Sequence, residues 1–207
     1  MDDALREQTF TDIYDDSMWL INLVENLLAV TRIEGGQVNL TRSIELMDEV
    51  VSEALKHINR KSKEHTIRVT SGNDFILAHI DAKLIVQVII NLVDNAIKYN
   101  YHGGRVIVLA QITSPTVLEI SISDTGRGIS PENLPRVKEK FYKTDNTVAG
   151  SGIGLAVADE IVKLHGGTLN IDSILNEGTT VTITLPIEAV TYTDEKEVHD
   201  EEAKNSN

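Results

Sequence analysis

Two asparagines and a lysine fall on one line of a helix: Asn91 and Asn95 are four residues apart, and Lys98 follows three later. An Asn side chain presents a neutral carbonyl oxygen that suits a hard cation, and a lysine adds a point charge that suits phosphate. The surrounding stretch, Leu84 to Asn100 (LIVQVIINLVDNAIKYN), is apolar on almost every other side, with Gln87 on the stripe and Asp94 beside it. Helices apolar all round are normally buried. The pattern therefore describes a core helix that pushes two amides and an ammonium out through one slot. A plainer reading competes, in which the same stripe simply faces water.

Two glycine loops weigh on that choice. Asp124-Thr125-Gly126-Arg127-Gly128-Ile129 follows directly on an alternating strand. A carboxylate there can accept a hydrogen bond from a planar amine, while the glycines let the main chain approach a ligand ring. An ordinary turn is the alternative, since Asp and Gly dominate turns. Gly150-Ser151-Gly152-Ile153-Gly154-Leu155 opens a helix. Converging backbone amides at a helix N-terminus favour an anion. The loop is not a P-loop, for no GxxxxGK[ST] occurs, and its third glycine comes one residue early for a dinucleotide fingerprint. The two loops together with the Asn-Asn-Lys helix are far more specific than any one of them.

These groups need a scaffold of 207 residues, 41% hydrophobic, with formal charge −13 from 32 acidic and 19 basic residues. Such acidity offers nothing to a nucleic-acid backbone. The absence of cysteine removes disulfides and thiolate metal sites. No apolar run reaches the ~18 residues a membrane span needs. The chain opens in mid-helix, as a piece of a longer protein would.

From Asp2 to Glu34 the sequence is free of Pro and Gly, and Gly35-Gly36 stops it. Ile13, Leu20, Val24, Leu27 and Thr31 recur at helical steps, widened by Ile21, Leu23 and Leu28. That stripe needs a partner, and self-association into a helical bundle is favoured over packing on the chain's own domain. Residues 1–36 are thus read as part of a helical dimerisation domain, and a new domain runs from 37 to 187. Its expected elements are a strand at Gln37–Arg42, a helix from Leu46 to about Arg60, and strands at Thr66–Thr70 and Phe75–Ile80. The central helix follows, capped by Asp81. Strands at Arg105–Ile112 and Thr116–Ser123 come next, then a long loop from Thr125 to Ser151 of the kind that forms lids. A helix at Ile153–His165 and strands at Thr168–Ile174 and Thr179–Leu185 close the domain. Residues 188–207, with seven acidic and two basic residues, read as a disordered tail. The fold class is α+β: a mixed sheet of about five or more strands with three helices on one face, a two-layer sandwich preceded by a long dimerisation helix.

Asn91 to Tyr99, Asp124-x-Gly126-x-Gly128, Phe141-Tyr142-Lys143 and Gly150-x-Gly152-x-Gly154-Leu155 resemble, in order and spacing, the N, G1, F and G2 boxes of sensor histidine kinases. The resemblance covers about Gln37 to Ile187. It implies the ATP-binding sandwich shared with gyrase, the Hsp90 chaperone and the mismatch-repair MutL proteins, with ATP and Mg²⁺ as cofactors. It further implies that Asn95 is the main metal ligand, assisted by Asn91, and that Lys98 and Tyr99 contact phosphate and ribose. Asp124 would read the adenine amine with Gly126 and Gly128 beside it, and Ile129 would pack on the ring. Lys143 and the loop Gly150, Ser151, Gly152, Ile153, Gly154 and Leu155 would hold phosphates under a lid, and Thr179 would add an adenine-side contact. The N-terminal helix, through Met18 to Leu28, resembles the second dimerisation helix of potassium-responsive (Kdp-type) kinases.

Two departures from the family matter. None of His57, His65, His79, His102, His165 and His199 lies in a phosphoacceptor motif, so the chain reads as a kinase without its own target. Lys138, in Val137-Lys138-Glu139-Lys140, stands where a second aromatic is often found. The hydrolytic relatives carry a glutamate one turn before the metal asparagine. Here that position is Asn91, which cannot take up a proton. Transfer to a supplied histidine of a dimerisation helix is therefore expected over hydrolysis, within a homodimer, with a response-regulator aspartate as final recipient. No nucleic-acid partner and no membrane contact by this segment are expected, although the parent protein is expected to be a membrane-anchored bacterial sensor with this portion in the cytoplasm. The alternatives are a serine-phosphorylating, anti-sigma-factor-type kinase and a non-catalytic nucleotide-gated dimerisation module.

Overall fold

Alternation along the strands builds a sheet with one covered face. In the computed structural model, which describes residues 3–36, 39–58, 65–73, 75–145 and 150–187, five strands lie in the order β2-β4-β5-β7-β6. They are β2 (Thr66–Ser71), β4 (Arg105–Ser114), β5 (Val117–Asp124), β6 (Thr168–Ile174) and β7 (Gly178–Pro186). β2 runs parallel to β4, and every other pairing is antiparallel, so the sheet is mixed as expected. Val106, Val108, Ala110, Leu118, Ile120, Ile122, Ile183 and Leu185 point to one side and are buried there. Their neighbours, among them Glu119, Ser121, Ser123, Thr180 and Thr182, face the other way.

Helices α2 (Met47–Lys56), α3 (Ala82–Lys98) and α4 (Gly154–Leu164) cover the apolar side. In α3, Ile85, Val88, Ile89, Leu92 and Val93 are essentially inaccessible. Asp81 caps this helix as its position predicts, accepting from the Leu84 amide at 3.3 Å. Its other carboxylate oxygen accepts from the Thr41 amide at 2.9 Å, and its own amide donates to Nε2 of buried His165 at 3.2 Å. One residue thus ties the start of the central helix to the end of α4 and to the chain ahead of β1.

Three expectations need correction. The strand expected at Gln37–Arg42 lies instead at Ser43–Leu46 (β1), one step later in the chain. β1 pairs with β3 (Leu77–Ile80) as a separate two-stranded sheet, so β3 does not extend the main one. Residues 37 and 38 lie outside the described residues, as do 59–64, which include the expected end of α2, and the tail from 188.

The third concerns the N-terminal helix α1 (Asp3–Glu34). It ends where the glycines predict, with Gly36 at φ 62 and its amide bonded to the Ile33 carbonyl at 3.0 Å. Part of the helix, however, packs on its own domain. Val30 is buried, and Leu23, Ala29 and Ile33 pack against the core. The stripe picked out by spacing, with Ile13, Leu20, Val24 and Leu27, stays exposed on a different face. The docking face was obscured because its centre is polar: Asn26, 6% exposed.

Candidate functional site

The polar stripe of α3 does not face bulk water. It lines a cleft of about 690 Å³, a size ordinary for a small-molecule site. Asn91, Asp94, Asn95, Lys98 and Tyr99 form one wall, and Asp124, Gly128, Ile129 and Thr179 face them from the end of the sheet. Gly150, Ser151, Gly152, Gly154 and Leu155 close the third side, with Tyr142, Lys143 and Thr144 over them. Two of the expected residues are not on the wall. Ile153 is 2% exposed and belongs to the core, because it opens α4 on its buried face. Gly126 is buried behind Asp124, donating its amide to Oδ1 at 2.8 Å. A side chain there would meet the Tyr99 carbonyl at 2.4 Å, so its contribution is to let the loop pass close to the end of α3.

Asp124 closes the apolar end. Ile122, Val181, Ile171, Leu92 and Ala96 line the cleft around it, a greasy slot suited to a flat ring. They come from four elements, Ile122 from β5, Val181 from β7, Ile171 from β6 and Leu92 and Ala96 from α3, so no single sequence period marks them as one lining. Burial raises the Asp124 carboxyl above the usual range, and the amides of Gly126 and Thr179 pull it partly back. The loop beside it is clamped twice. The Arg127 amide donates to the Tyr99 carbonyl at 2.9 Å, and the Asn176 amide donates to the Arg127 carbonyl at 2.7 Å. Gly128, at φ +63, brings its α-carbon so near the neighbouring turn that a Cβ would lie 2.0 Å from the Ile174 carbonyl oxygen.

At the other end, α4 begins without a side-chain cap. Its first amides and the positive end of its dipole face the cleft through Gly152 and Gly154, an arrangement that favours an anion. Lys98 stands opposite, paired with Asp94 at 2.5 Å. Burial, then the nearby carboxylates of Asp145 and Asp94, push the Tyr99 hydroxyl up and keep it a neutral donor. Arg127 and Asp145 form an ion pair at 3.1 Å.

Asn91 sits where α1, α3 and the start of α4 meet, 8% exposed. Its Nδ2 donates to Asn26 Oδ1 at 2.9 Å, and its Oδ1 accepts from Asn26 Nδ2 at 3.2 Å. Gln87 donates to the same Asn26 oxygen at 3.1 Å. Met18, Asn22 and Asn26 therefore make α1 a fourth wall of the cleft, which spacing alone did not reveal. Asn95 lines the cleft one turn away. Its amide oxygen fits a hard cation, whereas that of Asn91 is committed to the interhelical pair in this arrangement. Among the described residues no cluster of three or more His, Cys, Asp or Glu could hold a metal, so a cation here would rely on amide, phosphate and water oxygens, as Mg²⁺ often does.

Residues 80–189, which include the cleft walls supplied by α3, the end of the sheet and the second glycine loop, match the family described as histidine kinase-, DNA gyrase B-, and HSP90-like ATPases. The sensor protein KdpD of Clostridium acetobutylicum is 36% identical over 173 residues, covering 82% of this chain and 19% of that protein. The heme sensor protein HssS of Staphylococcus saprophyticus is 34% identical over 183 residues, covering 88% of this chain and 39% of that one. The chain thus spans well under half the length of either relative. A solved mycobacterial sensor histidine kinase, MprB, aligns with a TM-score of 0.65 at 30% identity, over 72% of this chain and 99% of that one. No helix among the described residues is long and apolar enough to cross a membrane.

Proposed function

The chain belongs to the histidine kinase-, DNA gyrase B- and HSP90-like ATPase family, and from that premise we propose that it is the ATP-binding catalytic part of a sensor histidine kinase. The observation that carries the reading is the polarity of one cleft: a carboxylate in an apolar slot at one end, an uncapped helix N-terminus and a lysine at the other. That sequence of environments matches a purine, a ribose and a phosphate chain.

Within this reading Asp124 accepts from the adenine amine, and Ile129 packs on the ring. Tyr99 donates toward the ribose. Lys98 and the first amides of α4 hold the phosphates, with Lys143 above them. Asn95, with Asn91 where its oxygen is not taken by Asn26, would hold Mg²⁺, which would supply charge neutralisation at the phosphates. In-line phosphoryl transfer asks for little beyond such positioning and charge compensation. Asn91 offers no base to activate water, so the acceptor is a histidine brought from a dimerisation helix. The exposed stripe of α1 pairs with a second copy, and the phosphoryl group then passes to a response-regulator aspartate. The parent protein is a bacterial sensor anchored in the membrane, with this part in the cytoplasm. The Kdp type is one candidate class for that parent.

The test mixes this chain with a histidine-bearing dimerisation fragment, γ-labelled ATP and Mg²⁺. Acid-labile, alkali-stable label on the fragment, lost with Asn95→Ala, is the expected result. Label on serine points instead to an anti-sigma-type kinase, and binding without label points to a nucleotide-gated module.

A further inference from the structure

Lys138 departs from the pattern of its family, and the structure shows what it does in place of an aromatic side chain. Its ammonium donates to Asp159 Oδ1 at 2.9 Å and to the main-chain carbonyl of Leu169. Asp159 lies on α4 and is 7% exposed; its second oxygen pairs with Lys163 at 2.8 Å. A carboxylate so buried needs its partners, because an uncompensated charge in the interior is strongly destabilising. Burial pushes this carboxyl up, and the hydrogen bonds and charges of Lys163 and Lys138 outweigh it, holding the group below its usual range.

The segment that carries Lys138 also carries part of the cleft wall. From Asn133 to Asp145 the chain forms an arm braced on itself. The Tyr142 hydroxyl donates to Asn133 Oδ1 at 2.7 Å, and the Arg136 guanidinium lies 4.3 Å over the Tyr142 ring. Those contacts stiffen the arm without fixing where it sits. The Phe141 ring, which could have docked it, is 67% exposed. The arm is tied to the body by the Arg127–Asp145 ion pair at its far end, by the Phe141 amide donating to the Gly152 carbonyl at 2.8 Å, and by Lys138 between α4 and β6.

We propose that Lys138 is a positioning residue for the nucleotide: seated between Asp159 and Leu169, it fixes the arm so that Tyr142 and Lys143 stand on the cleft wall. The inference rests on reading the cleft as the nucleotide site. An ionic anchor of this kind replaces the apolar docking that an aromatic side chain would give, and it places α4, β6 and the arm in one register.

The test measures binding of a fluorescent ATP analogue, with Mg²⁺, to the whole chain, alongside thermal unfolding. Lys138→Met should weaken binding about tenfold and lower the melting temperature by leaving Asp159 with Lys163 alone. Lys138→Arg should keep the affinity. The pair Lys138→Met with Asp159→Leu removes the buried charge that Lys163 alone compensates only in part, so it should regain thermal stability without regaining affinity. A separation of that kind is what a merely structural role would not produce. Wild-type affinity in Lys138→Met overturns the proposal, and so does an affinity that returns together with stability in the double variant. Loss of binding in Asp124→Ala establishes the cleft reading independently; a wild-type chain that does not bind the analogue overturns both.

Discussion

Asn26 and Asn91, 65 residues apart, face each other as a reciprocal amide pair, each donating to the other's oxygen at 3.2 and 2.9 Å. Both are nearly inaccessible, and Gln87 completes the set. The pair joins the N-terminal helix to the polar stripe of α3 where a bound cation would need the Asn91 oxygen. A ligand that draws on Asn91 must therefore compete with α1 for it. Asn26→Ala should cost roughly 1–3 kcal/mol of stability, since it strands the buried Asn91 amide and takes an acceptor from half-buried Gln87, and urea denaturation will measure it. The same variant removes the competitor, so the Mg²⁺ dependence of ATP binding should shift to lower metal concentration. Unchanged Mg²⁺ dependence would show that Asn91 takes no part in holding the metal.

Asp124 should separate stability from binding. Its carboxyl is raised in the folded state, above 3.8. A raised carboxyl favours the fold below its ordinary value, and that contribution is lost as pH rises through the folded value. At pH 7 the fold therefore carries a charged carboxylate it would be more stable without. Asp124→Asn, which keeps the shape and the acceptor for the Gly126 amide, should hold or raise the melting temperature at pH 7. It should also weaken ATP about 10- to 100-fold, because the new amide hydrogens oppose the adenine amine. In the wild type the same affinity should fall on acidification at a pH above the ordinary carboxylate range. Titration calorimetry across pH 4 to 7 reads both effects.

Much of this architecture was legible in the chain. Leu118, Ile120 and Ile122 alternate cleanly, so β5 and its covered face could be read directly. Asp81 announced the start of α3, and the two glycine loops announced where the main chain comes close to a ligand. What escaped reading was set by contacts distant in sequence. The apolar stripe of α1 suggested self-association, and gave no sign of the packing on its own domain, which is centred on Asn26, whose meaning depends on Asn91. β1 was misplaced because Ser43–Leu46 becomes a strand only by pairing with Leu77–Ile80, outside the main sheet. Lys138 looked like a defect in the arm until Asp159, 21 residues on in α4, supplied its partner.

His165 should make the fold acid-sensitive in a way separable from its carboxylates. Its Nδ1 lies 2.8 Å from the Ile161 carbonyl, which can only accept, so Nδ1 carries the proton. Nε2 then accepts from the Asp81 amide, and no site is left for a second proton. Burial lowers its pKa below 6.5, opposed by the Ile161 carbonyl and Asp81 and reinforced by Arg42. A depressed histidine contributes stability above its unfolded value, and this is lost as pH falls through the folded value. Stability should thus decline below about pH 6.5. In His165→Gln the decline between pH 7.5 and 5.5 should be shallower, even though its stability at pH 7.5 is lower. Parallel pH profiles for the two proteins would remove His165 from the account.

The glycine loop offers a test with its own internal control. Gly152 adopts φ +70, and a Cβ on it would lie 2.8 Å from the Phe141 carbonyl carbon and the Tyr142 oxygen. Gly152→Ala is thus strained twice, once in its backbone and once against the arm that carries Tyr142 and Lys143. The least costly relief is for the arm to move outward, since Phe141 is already exposed and the start of α4 is held by buried Ile153. Gly150, two residues earlier, has none of the described residues within 4 Å of where its Cβ would be. Gly152→Ala should therefore weaken ATP by about 100-fold, the scale expected when a binding wall shifts by about 1 Å. Gly150→Ala should change affinity no more than about threefold, well under 1.4 kcal/mol. Amide hydrogen exchange over the arm, faster in the first variant and unchanged in the second, would locate the loss in the arm rather than in the helix.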